Sequence, residues 1–131
     1  MRLAFGAFLL SATLVMTGAD PASGAPQDYV FEAVQSKVEE SANAIISVRL
    51  VNKVSRKPVT DAVILQTRLD MSPDNMADMT TNVAPLASGE PGVYRFQADL
   101  SMGGRWALKL AAKVPGEQET VRGEVVVAAT K

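Results

Sequence analysis

The sequence predicts an all-β fold: an immunoglobulin-like antiparallel β-sandwich of about seven strands, preceded by a signal peptide. Three observations predict it. Short runs of β-branched and aromatic residues alternate apolar with polar positions. Turn residues (Gly, Pro, Asn, Asp) recur between those runs. Beyond the export signal about 106 residues remain, enough for one domain and too few for two.

Along the chain, residues 29–35 form the first expected strand, with Tyr29, Val30 and Phe31 at its start. The stretch 31–43 carries Glu32, Lys37, Glu39 and Glu40 at helical spacing and is the one helix contender; it is read as strand, then loop. Residues 43–51 alternate, Ile45, Ser47 and Arg49 against Ala44, Ile46, Val48 and Leu50. After a polar turn at Arg56-Lys57-Pro58, residues 62–71 make the next strand. Val63, Leu65, Thr67, Leu69 and Met71 are expected on its buried face, and Gln66, Arg68 and Asp70 on its wet one. Ser72-Pro73-Asp74-Asn75 is a turn, and one short strand is expected near 79–84. Pro85, Gly89, Pro91 and Gly92 mark a loop. Residues 93–100 alternate cleanly, Gly103-Gly104 turns the chain, and 105–114 continues with Trp106, Leu108 and Leu110 on one face. Pro115-Gly116 turns it again before the last strand, 120–128.

The start has the three parts of an export signal: Met1-Arg2, an uncharged apolar run over 3–17, and small residues after it. The run is shorter than the roughly 20 residues a membrane span requires. An uncleaved anchor is the competing reading. Cleavage is expected to leave a mature start between Asp20 and Pro26, after Gly18-Ala19, Ser23-Gly24 or Gly24-Ala25. The expected organisation is a signal peptide over 1–25 and one β domain over 26–131, periplasmic and with no membrane span after cleavage. There is no Cys, hence no lipid-modified cysteine.

Composition narrows the function. Lys and Arg number 13 against 14 Asp and Glu, so no basic footprint for nucleic acid exists. The chain has neither His nor Cys. That removes Ser-His-Asp and Cys-His catalysis and ordinary zinc sites. No pair of carboxylates is placed around a pocket by the sequence, and the protein is not expected to be an enzyme.

What remains is methionine. Of six, Met1 and Met16 lie in the signal. Met71, Met76 and Met79 fall in one loop spaced M-x4-M-x2-M, and Met102 stands in another. Strands that reverse at each turn bring both loops to the same end of the sandwich. Thioether sulfur is soft and uncharged, suited to Cu(I) or Ag(I) and poorly suited to zinc, magnesium or calcium. Asp70, Asp74 and Asp78 would add weak attraction for a cation, and the ring of Trp106 could cap one by a cation–π contact. Two blander readings stand beside this. Met71 and Met102, at strand ends, could be core filler, and a Met-bearing loop could be a sticky protein-binding surface. Trp106 could be the core tryptophan of the sandwich.

Leu69-Asp70-Met71-Ser72-Pro73-Asp74-Asn75-Met76, then Pro91-Gly92-Val93-Tyr94, then Leu100-Ser101-Met102-Gly103-Gly104-Arg105-Trp106 resembles the YtkA-like family, whose pattern FixH-like proteins share. The resemblance covers roughly 44–127. It implies a small extracytoplasmic domain that accompanies heavy-metal efflux systems or the assembly of copper-containing cytochrome oxidase. By that resemblance Met71, Met76, Met79 and Met102 take the metal-binding positions, and the partner is a periplasmic efflux component or an oxidase assembly factor. Many relatives have His near the loop; its absence here tilts the expectation from Cu(II) to Cu(I) or Ag(I). The alternative is a non-metal β-sandwich that docks onto a membrane complex through its loops or an edge strand.

Overall fold

The computed structural model describes residues 26–131; the expected signal peptide lies outside the described residues. A short 3-10 turn, Pro26–Asp28, leads into nine strands: β1 (Tyr29–Ala33), β2 (Lys37–Glu39), β3 (Ser41–Asn52), β4 (Val63–Met71), β5 (Met76–Thr81), β6 (Val83–Leu86), β7 (Val93–Leu100), β8 (Gly104–Lys113) and β9 (Val121–Thr130). A second 3-10 turn, Ser72–Asp74, joins β4 to β5.

The strands form two sheets, ordered β1-β3-β7-β6 and β2-β9-β8-β4-β5. Every pairing is antiparallel except that of β2 with β9, which is parallel. The fold is the expected β-sandwich. Two sheets each hide one face, so alternate residues point inward and meet in one core. From β3 come Ile46, Val48 and Leu50, and from β7 come Phe96, Ala98 and Leu100. The other sheet answers with Leu69, Met71, Trp106, Leu108, Leu110, Val125 and Val127. Each large side chain so buried contributes roughly 1.5–3 kcal/mol against the entropy of ordering the chain.

Three details depart from the sequence expectation. The stretch 31–43, read as strand and then loop, begins in β1 as expected, but the part read as loop holds β2 and the start of β3, with Val38 buried between exposed Lys37 and Glu39. The single strand expected near 79–84 is two strands. β5 pairs with β4 in one sheet, and β6 crosses to pair with β7 in the other. The third is the buried face of β4. Ile64 pairs with Ala112 and Gln66 with Ala111, so Leu65 is an extra residue in a β-bulge. The bulge reverses the alternation. Ile64 packs on the core, while Val63 and Leu65, expected inside, are 58% and 54% exposed.

Candidate functional site at the methionine-bearing end

β4 ends at Met71, which is buried to 1% exposure. Pro73 fits the first turn of the 3-10 segment that follows, where a missing N–H costs nothing. Asn75 closes the turn in the left-handed conformation, φ 60°, and its N–H donates to the Ser72 carbonyl at 2.9 Å. The chain then reverses, so that Met76 stands opposite Met71. The next paired residue on β5 is Thr80, opposite Asp70, so residues 77–79 bulge out of the ladder. The Arg68 guanidinium holds that bulge, donating from Nη2 to the Ala77 carbonyl at 2.9 Å.

Two aspartates fix the turn. Asp70 has no exposed surface, although the sequence expectation put it on the wet face. It lies under Arg68 and Lys109, which donate to its Oδ2 at 2.9 and 3.0 Å, while its Oδ1 accepts the Ser72 N–H at 3.0 Å. Burial alone would raise its pKa. The hydrogen bonds from Ser72, then Lys109 and Arg68, outweigh burial and hold the carboxyl well below the usual carboxylate range. Asp74 takes the Arg105 backbone N–H at 2.8 Å and the Arg105 Nε at 2.7 Å, and these bonds lower its pKa too. Arg105 also donates from Nη2 to the Pro73 carbonyl at 2.8 Å. The 72–75 turn is thereby clamped onto the start of β8.

That clamp brings the second methionine loop alongside. Gly104 has φ 138°, and a Cβ on it would lie 2.5 Å from the Met71 Cε and 2.9 Å from Asp74 Oδ2. Only glycine permits this approach. Met102, two residues earlier, is 48% exposed, and its carbonyl accepts the Trp106 Nε1–H at 3.0 Å. Asp99 accepts from the Ser101 backbone and hydroxyl, and Thr81 donates to the Asp99 carbonyl at 2.8 Å, tying the end of β5 to the end of β7.

The expected gathering of the two methionine-bearing loops at one end is therefore present. The four side chains differ in access. Met76, Met79 and Met102 are 42%, 38% and 48% exposed, whereas Met71 is core and meets the site only from beneath, through its methyl against Gly104. Trp106 is 3% exposed and packs in the core, with no ring face open to solvent; the capping role gives way to the core one. Asp70 and Asp74 are neutralised by Arg68, Lys109 and Arg105, so they do not attract a cation as expected; Asp78 remains exposed. Among the described residues no group of three or more His, Cys, Asp or Glu could hold a metal. Sequence reasoning missed the Asp74–Arg105 clamp. Its only signal was the Gly103-Gly104 pair, read simply as a tight turn.

A two-sheet β-sandwich with methionine-bearing loops clamped together at one end defines the class: a small all-β domain. The particular family is the YtkA-like family, to which this chain belongs; its model matches residues 24–111. A solved structure, the ZirS C-terminal domain, is similar at 13% identity and a TM-score of 0.48, covering 100% of this chain and 88% of that one. No curated protein matches the chain.

Proposed function

We propose that this is an exported Cu(I)- or Ag(I)-binding accessory protein, which takes up the ion at Met76, Met79 and Met102 above buried Met71 and passes it to or from an efflux component or an oxidase assembly factor. The observation that carries the reading is the pattern of exposure. Three thioethers stand at the surface of loops brought to one end, while Asp70 and Asp74 beside them are neutralised and the chain offers no His or Cys. A soft, uncharged donor set favours a soft monovalent ion over the harder divalent ones. The ion is cargo here. Exposed ligands on a rigid base suit transfer, because a partner's ligands can replace them one at a time. The signal-like start of the sequence supports the reading, because export would put a thiol-free site outside the cytosol, and resemblance to FixH-like proteins supports the class of partner.

Titration with Ag(I) or Cu(I), followed through methionine methyl NMR signals, tests it. Shifts at Met76, Met79 and Met102 that saturate at a fixed stoichiometry are expected. Unmoved methyl signals at equimolar metal would sink the reading. The alternative, a non-metal module that docks on a membrane complex, draws on a cleft of about 590 Å³ at the other end of the sandwich, lined in part by Ile64, Leu86 and Tyr94. Changing the three exposed methionines to Leu separates the two, since Leu keeps apolar bulk and removes sulfur. Normal metal tolerance with the triple variant would favour docking.

A further inference from the structure

One flank of the sandwich is open. β5 pairs with β4 only at Leu69, Asp70 and Met71, so β4 from Val63 to Arg68 has a neighbour, β8, on one side alone. An unpaired edge presents backbone N–H and C=O groups ready to add a strand. At its start the edge is apolar and open: Val63 and Leu65 are 58% and 54% exposed. Beside them runs a narrower cleft of about 180 Å³ between the sheets, lined by Ile64, Leu65, Pro85 and Phe96, and it shares Ile64, Pro85 and Phe96 with the larger cleft. Projecting apolar groups and an apolar hollow thus lie side by side on one edge.

We propose that this edge pairs with the same edge of a second copy, antiparallel about a twofold axis at Ile64. A twofold interface must be self-complementary. The bulge makes this edge so. With Leu65 and Gln66 counted as one position, the edge reads Asp61, Ala62, Val63, Ile64, Leu65/Gln66, Thr67, Arg68. Pairing Ile64 with its mate then sets Val63 against Leu65/Gln66, Ala62 against Thr67, and Asp61 against Arg68. Opposed residues in an antiparallel ladder must point to the same side of the sheet. Without the extra residue an Asp61–Arg68 pairing would break that rule; with it, acid meets base at both ends. Arg68 uses Nε and Nη2 within its own chain yet stays 55% exposed, so it can take the second carboxylate. The exposed Val63 and Leu65 of each copy cover each other on the outer face, while the added edge and its Ile64 close the narrow cleft on the inner one. Strand pairing of this length falls toward the small end of specific interfaces, so the dimer forms reversibly with concentration.

Sedimentation equilibrium in chelator-treated buffer tests the pairing. The average mass should rise toward twice the monomer mass as concentration increases, and Leu65→Arg should abolish the rise. The chain has no cysteine, so Ile64→Cys gives a clean cross-link: residues paired across a twofold lie within disulfide reach, and mild oxidation should yield a covalent dimer. Ile45→Cys, on the outer face of the other sheet, should not. In the unaltered protein, amide exchange over residues 63–67 should slow as concentration rises, a readout that needs no variant. A monomer at every concentration, a dimer indifferent to Leu65→Arg, or an edge that takes an unrelated extended peptide while the protein stays monomeric would each overturn the proposal.

Discussion

Gly104 stands so close to Met71 that a Cβ on it would lie 2.5 Å from the thioether methyl. The contact joins the two methionine-bearing loops, and it occurs at φ 138°, where side chains are strained in any case. Gly104→Ala should therefore cost more than about 2 kcal/mol by urea unfolding. Gly116→Ala is the control. Gly116 also has positive φ, 89°, but a Cβ there meets nothing within 4 Å, so its cost should stay near ~1 kcal/mol.

Asp70→Asn should destabilise the fold by about 1–3 kcal/mol at neutral pH. That is less than the loss expected on breaking a fully buried pair, because Arg68 and Lys109 are 55% and 40% exposed and can return to water. The pH dependence has a definite sign. A carboxyl held below its ordinary pKa stabilises the protein above that pKa, near ~4, and loses the contribution as pH falls toward the folded value. Urea midpoints of the unaltered protein and of Asp70→Asn should therefore converge in acid. A constant gap from neutral pH down to strong acid would contradict this.

Tyr29 and Tyr94 are the two tyrosines of the chain, so phenolate absorbance reads them alone. Burial, then the Glu117 carboxylate that accepts the Tyr29 hydroxyl at 2.7 Å, pushes Tyr29 up to about 12. Burial also raises Tyr94, whose hydroxyl donates to the Val59 carbonyl at 2.8 Å and accepts the Ala62 N–H at 3.0 Å. The folded protein should show little phenolate at pH 10, where the urea-unfolded chain is half ionised. A raised folded pKa means stability that is complete below about 10 and lost as pH climbs past it. Tyr29→Phe should remove most of that alkaline loss.

The four methionines among the described residues should divide by burial when altered singly. Met71→Leu should cost under about 1.5 kcal/mol and Met71→Ala about 2–5, as for a core residue. Met76→Leu, Met79→Leu and Met102→Leu should each change stability by no more than about 0.5 kcal/mol while weakening Ag(I) binding by isothermal titration. Unchanged binding in all three would argue that sulfur at this end has no metal role.

Most of the sandwich was legible because alternation is local: β3, β7, β8 and β9 announce themselves through side chains two residues apart. What escaped depends on partners distant in sequence. Val63, Ile64 and Leu65 are all apolar, so nothing in their order tells which one bulges; the register with Ala111 and Ala112 decides it. Asp70 looks like a wet-face residue until Lys109, on β8, is laid over it. The step from β5 to β6 at Asn82 carries no glycine or proline, and a change of sheet there reads as one continuous strand. β2 is three residues long with two charges, and its parallel place against β9 cannot be seen locally. At the candidate site, spacing located the sulfurs and the topology gathered their loops. Their unequal exposure followed from packing, which buries Met71 and leaves the others out.

β9 comes last among the described strands, yet it stands inside its sheet, between β2 and β8. A chain that emerges amino end first cannot finish that sheet early. Until β9 arrives, β8 lacks one neighbour, β2 has nothing to pair with, and Val125 and Val127 are missing from the core. The native topology thus defers cooperative closure of this sheet until residues 121–130 are in place.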